Sequence, residues 1–252
     1  MHTTLLTDPA ASGPNEDAGG VLGRVAVVLD GAGVPARYRA GCHHSVAWFS
    51  HVLAARLLDR AQDPARPLRR ALTDAIEAVR GLHEGECDLE QGGPSATVVV
   101  VRWDEERLEH LVLCDSSLLL ELRDGSTRRV TDPRVEQVVA EESGGGSSGE
   151  AIEARRNAPG GFWVARHEPE AAAQALVGET SLASLRAGHL VSDGITRTID
   201  DLGDHDVASL SRALREDPRA LLRELREAEA RREPGQRPRK VHDDATVLTI
   251  LP

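Results

Sequence analysis

The sequence predicts an α+β fold in which helices are segregated from antiparallel strands in packed layers. Three observations lead there. Apolar runs of strand length stand at both ends of the chain and through its middle. Helical periodicity gathers into an early pair and a late pair. Acidic clusters lie beside the apolar runs: Asn15-Glu16-Asp17, Asp30-Gly31-Ala32-Gly33, Ser192-Asp193-Gly194 and Asp243-Asp244-Ala245-Thr246. Asp17, Asp30, Asp193 and Asp243 can meet only if the first and last strands are neighbours, which calls for a single domain over 1–252.

Taken in order, residues 3–6 and 24–29 read as strands. A helix from about Cys42 to Arg60 follows, with Val46, Phe49, Leu53 and Leu57 on one stripe, and Asp63-Pro64 ends it. A second helix covers about 66–83. The unbroken run Ala96 to Arg102 has the look of a strand buried on both faces. Segments 108–114, 118–122 and 127–130 then predict an antiparallel meander turned at Asp124-Gly125. The glycine- and serine-rich stretch from Glu141 predicts a flexible loop or flap over about 141–160. A strand at 162–165, a short helix at 169–176 and a strand at 187–192 lead to two late helices, about 204–215 and 217–232. A loop, Glu233 to Pro238, precedes the last strand, 245–251.

Composition narrows the function. The formal charge of −11 disfavours a phosphate-backbone partner, so no nucleic acid is expected. No run approaches a membrane span, and residues 1–15 show no signal-peptide pattern. The expectation is a cytoplasmic protein with no membrane partner. Cys42, Cys87 and Cys114 are widely spaced and predict neither a disulfide framework nor a zinc ligand pair. Arg supplies nearly every cation, Lys240 being the only lysine, which points to a GC-rich genome.

Carboxylates gathered at strand ends need a cation to offset their repulsion. An oxygen-only donor set suits Mg²⁺ or Mn²⁺ better than Zn²⁺, so the clusters predict a binuclear hard-metal centre. Each Asp-Gly taken alone is an ordinary turn pair; the ordered set carries the prediction.

The motifs Asn15-Glu16-Asp17-Ala18, Val28-Leu29-Asp30-Gly31-Ala32-Gly33, Pro94-Ser95-Ala96-Thr97, Leu113-Cys114-Asp115-Ser116-Ser117, Leu190-Val191-Ser192-Asp193-Gly194 and Asp243-Asp244-Ala245-Thr246-Val247 span residues 15–251. Together and in this order they resemble the metal-dependent protein phosphatases of type 2C, in a divergent bacterial, actinobacterial form. The resemblance implies a four-layer α-β-β-α sandwich, two antiparallel sheets flanked by helix pairs. It implies that Asp30, Asp193 and Asp243 bind one metal, and that Glu16, Asp30 and the Gly31 carbonyl bind a second. Asp17 would hold a metal-bound water, and Asp115 would ligate a labile third ion. The implied reaction is hydrolysis of phosphoserine or phosphothreonine in a phosphorylated protein substrate, with Mn²⁺ or Mg²⁺ as cofactor.

The chain departs from that pattern at four places. Val34-Pro35 follows Gly33 where another glycine is usual, and no Arg precedes the first cluster, leaving Arg24, Arg37 and Arg39 as phosphate-binding candidates. Ser117 stands in place of an Arg, and Asp244 in place of an Asn, with its extra charge either aiding the metal or facing water. The alternatives these departures raise are a pseudophosphatase that binds a phosphorylated partner, or a phosphatase for a small phosphorylated metabolite.

Cys42-His43-His44 with His51 invites a zinc reading, but the predicted helix offers no i, i+4 histidine pair, and the expectation is no zinc site there. His43 or His44 is an alternative acid beside the loop after Gly33. Cys114 reads as a small core residue, and His242 as an exposed loop residue. The Arg/Glu-rich helix 217–232 reads as a solvated face.

Overall fold

Val25–Leu29 and Val98–Trp103 are apolar at every position or nearly so, and the protein buries both faces of each. The computed structural model describes residues 1–10, 13–32, 36–144, 149–232 and 241–252. Strands β1 (His2–Asp8), β10 (Ala245–Leu251), β9 (Leu185–Val191), β6 (Ser117–Leu122) and β7 (Thr127–Val130) form one antiparallel sheet in that order. Strands β2 (Ala18–Leu22), β3 (Val25–Leu29), β4 (Val98–Trp103), β5 (Arg107–Leu113) and β8 (Leu176–Ser181) form the other.

Side chains alternate between two cores along each strand. Ala26, Val28, Val99, Val101, Leu118, Leu120, Leu190 and Leu248 fill the space between the sheets. Val25, Val27, Leu29, Val98 and Val100 point the other way, onto Phe49, Leu53, Leu57, Leu72 and Ile76 of α1 (Val46–Arg60) and α2 (Leu68–His83). On the far side, Leu119, Val191 and Val247 meet Ile195, Leu210, Leu214, Leu221 and Leu225. Those residues belong to α5 (Asp193–Asp200), α6 (Val207–Glu216) and α7 (Pro218–Arg231). The layers are therefore α-β-β-α, as the resemblance implied.

The first and last strands do meet: β1 and β10 pair from His2↔Leu251 to Asp8↔Ala245. Several local expectations are corrected. Helix α1 begins at Val46, because the Ser45 hydroxyl accepts the Trp48 N–H and caps it. Segment 42–45 therefore lies outside the helix. The meander is two hairpins in different sheets: the chain leaves β5 and crosses to β6 through Cys114, whose φ is +69°. Strands β2 and β8 and helix α5 were not expected. The stretch from 134 to 144 is helix α3, and Gly149–Ala154 is helix α4. The segment at 162–165 makes only isolated bridges, Arg156↔Phe162 and Ala96↔Ala165. Positions 33–35, 145–148 and 233–240, with the altered glycine turn and the late loop, lie outside the described residues.

Candidate metal centre

Each acidic cluster sits where a strand begins or ends, and the topology brings those ends together. Asp30 follows β3, and Asp17 precedes β2 opposite it, since Ala18 pairs with Leu29. Asp193 follows β9 as the first residue of α5, and Asp243 precedes β10. The Ser192 hydroxyl accepts the Thr246 N–H at 2.9 Å, which holds those two ends side by side. The Asp193 N–H donates to Asp30 Oδ2 at 3.3 Å, joining one sheet to the other. Asp115 lies at the crossing from β5 to β6.

Two glycines are required by close approach. A Cβ on Gly31 would lie 2.8 Å from the Glu16 carbonyl oxygen, and one on Gly194 would lie 2.0 Å from that of Asp244. These Asp-Gly pairs are packing devices, whereas Asp124-Gly125 is the predicted hairpin turn, with Gly125 at φ +90°.

A cleft of about 360 Å³ opens over the cluster, walled by Asp30, Gly31, Asp115, Asp193 and Asp243, and by Thr97, Arg156 and Arg197. Asp17 is 3% exposed, and neither of its carboxylate oxygens has a hydrogen-bond donor at bonding geometry. Burial pushes its pKa up to about 7, against the nearby hydroxyls of Ser192 and Thr246, which pull it down. Burial, then the charges of Asp193 and Asp17, hold Asp30 well above the carboxylate range. Burial and Asp193 push Asp115 up to about 6. An orphaned buried carboxylate among like charges, with oxygen donors only, fits a hard divalent cation.

This arrangement fixes a pH dependence. The folded-state pKa values of Asp17 and Asp30 are raised above their unfolded values, so native protein holds protons that unfolded chain has released. The stability of metal-free protein should therefore fall as pH rises from about 4 through 7, and affinity for a divalent cation should rise. Melting in EDTA at pH 5.5 and pH 8 checks this; a higher Tm at pH 8 would contradict it.

Asp244 neither faces water nor joins the cleft. It is buried, and its two oxygens accept the backbone N–H groups of Ala10 and Glu16, each at 2.7 Å. It thereby fastens the segment carrying Glu16 and Asp17 to the start of β10. Glu16 itself does not line the cleft.

Of the three arginines offered as phosphate-binding candidates, none lines the cleft. Arg24 lies in the β2–β3 turn, at the opposite end of β3 from Asp30, and pairs with Glu105. Arg37 and Arg39 lie in a 3₁₀ turn, Ala36–Arg39, where Arg37 donates to the Tyr38 hydroxyl. The cleft arginines are Arg156 and Arg197, which sequence reasoning missed. Arg156 is held by Glu153 at 2.8 Å and by the Ser95 hydroxyl at 3.4 Å, over the Phe162 ring. Arg197 donates to buried Glu229 at 2.8 Å. Cys114 is buried as expected, and burial raises its thiol well above the ordinary value.

The sequence matches the family model described as "Protein phosphatase 2C" over residues 10–233. The chain belongs to the protein phosphatase 2C family. Solved structures agree on the fold. The Mycobacterium tuberculosis serine/threonine phosphatase PstP/Ppp superposes with a TM-score of 0.64 at 18% identity, covering 98% of this chain and 97% of that one. Staphylococcus aureus Stp1, also a serine/threonine phosphatase, gives 0.64 at 16% identity over 99% and 94%. The PstP catalytic domain in complex with two manganese ions gives 0.59 at 19% identity over 98% and 96%. No curated protein matches the sequence. Among the described residues, no helix is long and apolar enough to cross a membrane.

Proposed function

We propose that this chain is a Mn²⁺- or Mg²⁺-dependent phosphatase, one domain over residues 1–252, that hydrolyses phosphoserine and phosphothreonine in proteins. The observation that supports this best is the meeting of Asp17, Asp30, Asp115, Asp193 and Asp243 at the joined ends of both sheets. In this reading Asp30, Asp193 and Asp243 would hold one ion, and Asp30 and the Gly31 carbonyl would hold a second, with Glu16, outside the cleft lining but beside Gly31, as the further ligand. Asp115 serves a third. Cations held there would supply a water of lowered pKa and would offset charge on the phosphoryl oxygens. Asp17, buried beside Asp30 and Asp193, would accept a hydrogen bond from a metal-held water. Free thiols at Cys42, Cys87 and Cys114 suit a reducing cytoplasm.

Arg156 takes the part of the phosphate clamp. Its guanidinium is already fixed by Glu153, Ser95 and Phe162, so little side-chain freedom is lost when it binds an anion. Arg156→Met should lower kcat/KM for a phosphopeptide by about 10–100-fold, mainly through KM, as expected for losing a charged hydrogen bond. Unchanged kinetics would remove Arg156 from this role.

Initial rates on phosphoserine, phosphothreonine and phosphotyrosine peptides, beside small phosphorylated metabolites, test the substrate class. Preference for the first two is expected. Turnover confined to a metabolite would replace the protein substrate. Tight phosphopeptide binding without turnover would make the chain a pseudophosphatase.

A further inference from the structure

Outside the carboxylate cleft, Cys42, His44, His83 and Cys87 place two thiols and two imidazoles within 4.8 Å of one another. None of the four lines the cleft. Four of the cluster's six edges are Cys42–Cys87 at 3.0 Å, Cys42–His44 at 3.5 Å, Cys87–His44 at 3.5 Å and Cys42–His83 at 3.3 Å. A tetrahedral zinc ion with Zn–S of about 2.3 Å and Zn–N of about 2.0 Å has edges of roughly 3.3–3.8 Å. Of these four, the three sulfur–nitrogen edges fall in that range, and the Cys42–Cys87 edge would have to open by under about 1 Å to admit the ion.

We infer that Cys42, His44, His83 and Cys87 form a structural zinc site of the Cys₂His₂ type, separate from the proposed phosphatase centre. The chemistry selects the metal. Two thiolates and two imidazoles are the donor set of tetrahedral zinc, and hard Mg²⁺ or Mn²⁺ prefers oxygen. Two thiolates also neutralise the ion, which suits a site where Cys42 is 7% and His83 1% exposed. All four positions are filled by protein, so no position is left for a reacting water. The adjoining set His43, His44 and Glu86 shares His44, but it is largely exposed and contains only one carboxylate and no thiol.

The backbone prepares the site. Cys87 N–H donates to the His83 carbonyl at 2.9 Å, so the turn after α2 carries both groups. Cys42 N–H donates to the Arg39 carbonyl at 3.1 Å, and Asp88 N–H to that of Gly41 at 2.8 Å, tying the two ligand segments together. The pattern Cys-x-His and His-x₃-Cys escapes the sequence because its halves lie on different elements. The Ser45 cap excludes His44 from α1 and turns it toward Cys87, while His51 takes no part. Zinc here would pin the segment before α1 to the end of α2. Val46, the first residue of α1, packs against Gly31, so the pin also steadies the edge of the carboxylate centre.

Binding releases the thiol protons to solvent as two Zn–S bonds form, with no change of oxidation state. Tag-free protein prepared under reducing conditions with zinc in the medium, then passed through EDTA-free gel filtration, should carry about one zinc per chain by mass spectrometry. Cobalt exchanged into wild-type protein should give thiolate-to-cobalt charge-transfer absorption and quench Trp48, whose ring lies 4.0 Å from that of His44. Cys87→Ser should lose the zinc and the absorption, whereas Asp193→Ala should keep both. Reduced wild type that holds no zinc and gives no charge-transfer band would overturn the inference, and those two readings do not depend on any variant folding. Zinc retained by Cys87→Ser, or lost with Asp193→Ala, would assign the metal elsewhere and overturn it equally.

Discussion

Replacing Asp30 by Asn should abolish phosphate-ester turnover, by at least about 10³-fold in kcat/KM, or ~4 kcal/mol of transition-state stabilisation. The same change should stabilise the metal-free protein. Asp30 is joined to the other sheet through the Asp193 N–H, and the amide oxygen of Asn can still accept that bond. What Asn removes is the charge. In the absence of a cation that charge is opposed by burial and by Asp193 and Asp17, so its loss relieves the native state. In the proposed centre the same charge would help to hold the cations. Asn should therefore raise the Tm in EDTA and remove the upward shift that Mn²⁺ gives the wild type. Melting curves with and without Mn²⁺, beside initial rates, separate the two effects. A variant that is both active and stabilised by Mn²⁺ would show that Asp30 is not a ligand.

The second large effect is on stability. Glu229 on α7 is 3% exposed and receives Arg197 at 2.8 Å, Arg226 at 2.9 Å and His242 at 2.8 Å. One buried carboxylate thus ties α5, α7 and the segment leading to Asp243. Arg226 extends the tie to Asp8 at the end of β1, at 2.8 Å. Glu229→Ala leaves buried Arg197 without this counter-charge, a situation that costs about 3–5 kcal/mol. Urea denaturation should show the midpoint falling with little change in slope. The loss should exceed that of Glu105→Ala, whose pair with Arg24 is exposed at both ends and screened by water. Because His242 adjoins Asp243, Mn²⁺ affinity should also fall in Glu229→Ala protein that remains folded. Equal destabilisation by the two variants would refute the role given to Glu229.

The parts of this structure that were legible in the sequence share a physical cause. Val25–Leu29, Val98–Trp103 and Ala245–Leu251 are buried on both faces, so their runs are apolar but for Arg102, Thr246 and Thr249, and mark their own ends. Asp30 and Asp243 stand just beyond two of those ends and Asp193 just beyond β9, and all three line one cleft. What stayed hidden depends on distant partners. Strand β2 contains Gly19 and Gly20, poor strand formers, and exists because β3 pairs with it. Strands β5 and β6 are consecutive in sequence but belong to opposite sheets, which no local pattern records.

Charge was misread where burial decided its meaning. Helix α7 looks like a solvated Arg/Glu face, yet Leu221, Leu225 and Glu229 recur at every fourth position on its buried side. That spacing was the available signal for Glu229, and with it for His242, which is half-buried against Glu229 and not an exposed loop residue. Asp244 looked like a spare charge beside a ligand but clamps two backbone N–H groups. Arg156 follows α4 in a region read as flexible loop, so its approach to the cleft had no local signature.

The most direct test of the central claim is p-nitrophenyl phosphate hydrolysis by the purified chain in Mn²⁺, in Mg²⁺ and in EDTA, with Asp193→Ala measured alongside. Turnover that requires the divalent cation and disappears in Asp193→Ala is the predicted result. Turnover that persists in EDTA, or is undiminished in Asp193→Ala, would contradict a carboxylate-held metal centre as the source of the chemistry.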